Sequence, residues 1–162
     1  MTILSKSAEM VQRALYEKGL KFEVVELKAS TRTANDAAMT IGCQVGQIIK
    51  SLLFRTKETQ RPVLVLVSGK NRVNEESIQR SVGEKIAKAD ADFTREITGF
   101  AIGGIPPLGH KNPISFVFID EDLLHHETLW AAAGTPYAVF SLPAKELQKL
   151  TSGEIVSVKE SS

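Results

Sequence analysis

The sequence predicts a single α+β domain over residues 1–162, with a mixed, mostly antiparallel sheet flanked by short helices. Three observations lead there. A chain of 162 residues fits one domain of ordinary size and is too short for two comfortable ones. Helical and strand periodicities alternate along it without a long linker or a repeat. Two apolar strands, Lys50 to Arg55 and Val63 to Ser68, are joined by the polar stretch from Thr56 to Arg61, which reads as a hairpin rather than a crossover.

The remaining elements follow in order. Ser5 or Ser7 caps a first helix that carries Ala8, Val11 and Leu15 on one face, and Gly19 ends it. Phe22 to Leu27 reads as a strand. Thr33-Ala34-Asn35-Asp36 has the form of a capping box before a short helix through Ile41, with Gly42 as its stop. Asn74 caps a helix that buries Ile78 and Val82 and stops at Gly83, and Asp90 opens a brief one carrying Phe93 and Ile97 up to Gly99. Ile114 to Ile119 is a buried strand, rich in β-branched and aromatic residues, and Tyr137 to Phe140 is a shorter one. Pro143 suits the first turn of a helix with Leu147 and Leu150 inward, and Ile155 to Val158 closes the chain as a strand.

Composition excludes several classes of function. With 43% apolar and 24% charged residues and a net charge of +1, the chain lacks the field of a DNA-coating protein, so nucleic-acid contact is expected to be local. A single cysteine, Cys43, forms no internal disulfide, reads as a small buried hydrophobe and suits a reducing cytoplasm. No run of about 20 apolar residues marks a membrane span.

The search for known chemistry mostly fails. Gly99, Gly103 and Gly104 do not form G-x-G-x-x-G, and Ser68-Gly69-Lys70 lacks the earlier glycine of a phosphate-cradling loop. His110, His125 and His126 have no metal-ligand spacing, so neither metal nor cofactor is expected. There is no nucleophile elbow.

Two features stand out instead. Lys50 sits between Ile48-Ile49 and Leu52-Leu53-Phe54, where both strand faces are apolar, and a buried ammonium needs a partner or an anionic ligand. Snorkelling to water is its ordinary alternative. From Gly99 to Gly109 runs a loop with Gly103-Gly104 followed by Pro106-Pro107. It reads either as a tight connection or as a stiff row of backbone N–H donors that a ligand can approach closely.

These segments, taken in order, also carry a resemblance. Val45 to Phe54, then Gly69 with Asn71-Arg72-Val73-Asn74, then Thr98 to His110, Phe118-Ile119-Asp120 and Ala133-Gly134-Thr135-Pro136 resemble the YbaK family. That family includes the editing domain inserted in bacterial prolyl-tRNA synthetase and its free-standing relatives. The likeness runs from about Thr31 to Leu150. It implies a β-barrel-like mixed core flanked by helices, and hydrolysis of small amino acids such as Cys, Ala or Ser wrongly esterified to tRNA. It places the functional lysine at Lys50 and the catalytic loop at Gly103, Gly104 and Pro106. Ser51 and Ile105 fall beside these as substrate-binding residues, and Asp120, Ala133 and Gly134 match pocket-lining positions. Where relatives often carry a hydroxyl residue before that last glycine, this chain has Ala131-Ala132-Ala133, which bears on amino-acid specificity. Arg72, His110 and Lys111 flank the elements involved and are the candidate contacts to the tRNA acceptor end. An aminoacyl-tRNA synthetase is the further expected partner, and neither DNA nor membrane is. Two rival readings stand beside it: a noncatalytic tRNA- or synthetase-binding module of the same fold, and a hydrolase or binder for another small acyl or nucleotide ligand. The deacylase reading expects Lys50→Ala and Gly104→Ala each to stop turnover in a folded protein.

Overall fold

The computed structural model describes residues 4–160, and they form the α+β domain that the periodicity predicts. Helix α1 (Lys6–Glu17) takes Ser5 as its cap, whose side chain accepts from Ala8 N–H, and it buries Ala8, Val11 and Leu15 completely. The strand after it is much shorter than expected: β1 is only Val25–Glu26. The cause lies in α1, where Gln12 satisfies the backbone that would have joined a ladder. Its amide donates to Phe22 O at 2.9 Å and accepts from Val24 N–H at 2.8 Å.

Helix α2 (Ala34–Ile41) is capped by Thr33 and stops at Gly42, whose φ of 85° is the left-handed conformation that favours glycine. A 3₁₀ turn at Val45–Gln47 leads into β2 (Ile49–Thr56), which pairs antiparallel with β3 (Pro62–Ser68) in the expected hairpin. Helix α3 (Glu75–Val82), the short β4 (Ile86–Lys88) and α4 (Ala91–Thr98) follow, capped by Asn74 and Asp90 at the two helices. Strand β5 (Phe116–Asp120) lies parallel to β3. Strand β6 (Thr128–Ala132) has no counterpart in the sequence reading, and β7 (Ala138–Pro143) extends further than expected. Pro143 ends that strand with extended backbone, so the helical turn starts only at Ala144 and continues as α5 (Leu147–Thr151) before β8 (Glu154–Val156).

The strands form two sheets rather than a closed barrel. One has five strands in the order β4-β2-β3-β5-β8 and the other three in the order β1-β7-β6. A parallel bridge between Ile48 and Trp130 ties them together at one corner. Strand β3 is the centre of the larger sheet, and each of its residues is buried. Its alternation divides the core in two. Leu64 and Leu66, with Ile49, Leu53 and Ile119, face Leu129, Phe140 and Leu142 of the smaller sheet and the apolar stripe of α1. Val63, Val65 and Val67, with Phe54 and Phe118, face Ile78 and Val82 of α3. Cys43 is half-buried and packs against Ala37, Ala38 and Ile48. No helix among the described residues is long and apolar enough to cross a membrane.

Candidate functional site

The corner where the two sheets meet is open on one side and holds a cavity of about 410 Å³. Five pieces of chain wall it: the segment Thr31–Thr33 with the first turn of α2, the start of β2, Gly69 after β3, the loop residues Ile102, Gly103 and Ile105, and β6 with Val139 of β7. The lining is mostly apolar and its side chains are small, with Ala34, Ala37, Ala131 and Ala132 alongside Ile48, Ile49 and Trp130. That is the size and character of a small-ligand site.

Lys50 lies on this wall, half-buried. Its Nζ donates to the main-chain carbonyl of Asn71 at 2.5 Å, which uses one of the three ammonium protons and leaves two for a ligand. Burial pushes its pKa below the usual lysine value, and the positive charge of Arg72 adds to that. The carboxylate of Asp120 acts in the opposite direction. Ser51, next along β2, also lines the cavity, and its hydroxyl is enclosed with no hydrogen-bond partner among the described residues.

The glycine/proline loop divides its work unevenly. Gly103 has a φ of +93°, a conformation that suits glycine, and a Cβ there would meet only Arg32 Cγ, at an ordinary contact distance of 3.9 Å. The N–H of Gly104 is already committed to the carbonyl of Ala101 at 3.0 Å, and the Gly104 carbonyl accepts from the N–H of Gly134 at 2.9 Å. Pro106 and Pro107 have no N–H to offer. Among the loop residues that line the cavity, the N–H groups of Ile102, Gly103 and Ile105 have no partner among the described residues. The expected row of donors therefore comes down to Ile102, Gly103 and Ile105, and Gly104 is a packing residue: a Cβ there would lie 2.8 Å from the backbone of Gly134.

Of the residues singled out in the sequence, Lys50, Ser51, Gly103 and Ile105 line the cavity together. Gly104, Pro106, Asp120, Ala133 and Gly134 do not. Pro106 is buried behind the loop, where its carbonyl accepts from His110 at 2.7 Å. Since a carbonyl only accepts, Nε2 of His110 carries the proton. Burial holds the His110 pKa below its ordinary value, so the ring is a neutral internal brace rather than a cationic contact. Ala133 is fully buried in the main core, and Gly134, at φ +95°, packs so tightly on α1 that a Cβ would lie 2.7 Å from Ser7 O. Asp120 is completely buried behind β3, where it accepts from the N–H groups of Ser68 and Asp122 and from the amide of Asn71. Arg72 and Lys111 are exposed, the first beside Lys50 and the second on the turn after α4.

The sequence reading missed the wall made by Thr31, Arg32, Asn35 and Ala37, and Trp130, which lies beside the Ala131-Ala132 pair named for specificity. The signal for the first was present, since the capping box at Thr33 marks a helix start. Nothing local says which way that start faces.

The sequence profile of the aminoacyl-tRNA editing domain matches residues 28–150. A protein of Bacillus subtilis, YwhH, described as uncharacterized, is 29% identical over 133 residues, 82% of this chain and 83% of that one. The proline–tRNA ligase of Limosilactobacillus fermentum is 32% identical over 89 residues, which are 52% of this chain but only 16% of the ligase. Among solved structures, one described as a candidate trans-editing enzyme for prolyl-tRNA synthetase superposes with a TM-score of 0.92 at 48% identity, covering 98% of this chain and all of the other. The chain belongs to the aminoacyl-tRNA editing domain family.

Proposed function

We propose that this protein is an aminoacyl-tRNA deacylase that hydrolyses the ester of a small amino acid, Cys, Ala or Ser, wrongly attached to a tRNA. The observation that carries the reading is the composition of one cavity lining: a half-buried ammonium with two free protons, together with loop residues Ile102, Gly103 and Ile105 whose backbone N–H groups are uncommitted, with no triad required.

The chemistry needs little more. An aminoacyl ester is already activated, and the neighbouring ribose hydroxyl of the terminal adenosine helps to deliver the attacking water. Attack converts the ester carbonyl into a tetrahedral oxyanion, which Gly103 and Ile105 N–H groups receive. Collapse expels the ribose oxygen, which takes up a proton, and frees the amino acid. Removing one such donor from an oxyanion site typically costs about 10²–10³ in kcat. Lys50 holds the anionic 3′ end as a point charge, a role that suits ammonium better than proton abstraction. The alanine-rich wall favours a small acyl group. A synthetase pocket discriminates poorly against a smaller amino acid, each methylene being worth about 1–3 kcal/mol, which is the error such an enzyme would remove.

A deacylation panel of Ala-, Cys-, Ser- and Thr-charged tRNA tests this. At least one ester should turn over with the wild type and not with Lys50→Ala. Binding of charged tRNA without turnover of any of them would make the protein a noncatalytic module instead. Whether a prolyl-tRNA synthetase presents the substrate is read by adding the synthetase to the same assay.

A further inference from the structure

Lys50 does not bond to a carboxylate. It bonds to a backbone carbonyl, and the residue that owns that carbonyl is fixed more firmly than a loop residue needs to be. The amide of Asn71 spends both of its N–H groups on carboxylates, one on Asp120 Oδ2 at 2.8 Å and one on Asp122 Oδ2 at 2.9 Å. Its own N–H is tied to Ser68 O at 2.9 Å. Asp120, with no exposed surface, is oriented by two further backbone donors, Ser68 N–H at 3.0 Å and Asp122 N–H at 2.9 Å.

The outer end of this chain is closed by the C-terminal segment. Lys159 reaches Asp122 at 3.1 Å, and residues 158–160 run alongside 72–74 through Asn74 N–H to Val158 O and Glu160 N–H to Arg72 O. One continuous set of bonds thus runs from Lys159 at the surface through Asp122 and Asn71 to the ammonium on the cavity wall. A buried carboxylate and a half-buried ammonium face each other across a single asparagine that bonds to both.

We propose that Asn71 is a positioning residue for Lys50, set in place by the buried carboxylates of Asp120 and Asp122 and locked from outside by Lys159. The inference rests on the deacylase reading for its kinetic consequence but not for its structural one. Asp120, expected from the resemblance to line the pocket, acts through Asn71 without touching the substrate. Pre-organisation is the physical gain: a lysine carries four rotatable bonds, and an ammonium already parked at the wall spends none of the ligand's binding energy on being ordered. The charged groups bearing on Lys50 are Arg72, which disfavours its charge, and Asp120, which favours it.

The test compares wild type with Asn71→Ala, Asp122→Asn and Lys159→Met. Steady-state deacylation of the charged tRNA that the wild type accepts is expected to show KM raised about tenfold in Asn71→Ala, with kcat within about threefold. Lys159→Met should shift in the same direction by about twofold. The alkaline limb of the rate should move to lower pH in Asn71→Ala, because the residue-71 carbonyl, which the variant keeps, is no longer held against the ammonium. In parallel, the Cε resonance of Lys50, assigned with Lys50→Arg, is titrated by NMR without any tRNA. Its midpoint should fall in Asn71→Ala. A folded Asn71→Ala with wild-type KM and an unmoved Lys50 midpoint overturns the proposal. If the wild type deacylates nothing, the deacylase reading fails and the NMR titration alone decides the positioning role. If Asn71→Ala does not fold, Asp122→Asn and Lys159→Met carry both measurements, and unmoved values in those two overturn it.

Discussion

Gly104→Ala separates packing from catalysis in the loop. A Cβ on Gly104 would lie 2.8 Å from both C and O of Gly134 and 2.9 Å from the N of Thr135, distances that real Cβ contacts essentially never reach. All three are backbone atoms, and Gly134 is itself pressed against Ser7 of α1, so the strain has nowhere inexpensive to go. Overpacking of this kind costs about 1–3 kcal/mol. Forcing the segments apart also weakens the bond from Gly134 N–H to Gly104 O, worth about 0.5–1.5 kcal/mol. The sum is about 2–4 kcal/mol, which lowers Tm by about 5–15 °C in a domain of this size. Gly103→Ala is the control. Its nearest neighbour is Arg32 Cγ at 3.9 Å, so only the positive φ is penalised, by about 1–2 kcal/mol, while the N–H on the cavity wall is re-aimed. Thermal and urea unfolding of the two variants, with deacylation measured well below the lower Tm, decide it. The expected result is that Gly104→Ala loses more stability and Gly103→Ala more kcat. A Gly104→Ala protein with wild-type Tm and abolished turnover would refute the packing argument and restore Gly104 to the catalytic machinery.

Three further outcomes are expected. Lys50→Met should abolish deacylation yet raise stability at neutral pH, since burial makes the folded state disfavour the ammonium; equal or lower stability in urea unfolding argues against a desolvated charge. By the same linkage the unfolded chain binds the Lys50 proton more tightly, so this group's penalty is present at neutral pH and fades as pH rises toward the ordinary lysine value. Glu84, whose pKa is lowered to about 2 by bonds from Thr59, Arg61 and the backbone of Glu58, clamps the β2–β3 turn. Its folded pKa lies below the unfolded 4.5, so its contribution is complete above 4.5 and is lost as pH falls toward 2; Glu84→Gln should flatten the Tm–pH curve in that window. Ala132→Val, on the strand face opposite buried Ala131, adds two methyl groups to the cavity wall and should lower kcat/KM for the larger accepted amino acids at least about tenfold more than for alanine; a uniform loss across the panel would place Ala132 away from the acyl group.

The parts of the fold that were legible are those where local pattern and tertiary environment agree. The β2–β3 hairpin announces itself by two apolar runs, and Thr33, Asn74 and Asp90 mark helix starts that the structure keeps. The rest depended on groups distant in sequence. Phe22 and Val24 are denied a ladder by Gln12, a helix residue with no strand signal of its own. Thr128–Ala132 becomes a strand because β7 and the Ile48 bridge pair with it, not through β propensity, since two of its five residues are alanine. The same holds at the site. Lys50, Ser51, Gly103 and Ile105 sit on segments whose composition is unusual in itself. Ala133 and Gly134 look like part of the wall from their neighbours, but the chain turns under α1 one residue after β6 and carries them into the core.

The physical reason that so plain a set of residues suffices lies in how the fold distributes polarity. Each loop polar group that serves structure is consumed: Gly104 N–H by Ala101, Gly134 N–H by Gly104, the His110 ring by Pro106. A buried donor left over after that accounting is costly, so it persists only where water or a ligand reaches it. The N–H groups of Ile102, Gly103 and Ile105 remain on residues that line the cavity, and two cations, Lys50 and Arg32, line it with them. Backbone dipoles and fixed cations are enough for an ester that is already activated, and do not suffice for an amide, whose cleavage needs a nucleophile and a proton donor to the leaving nitrogen. A peptide or amide analogue of the charged 3′ end should therefore bind and resist hydrolysis over a full day. Release of amino acid from such an analogue at a rate near that of the ester would require a general acid that these residues do not provide.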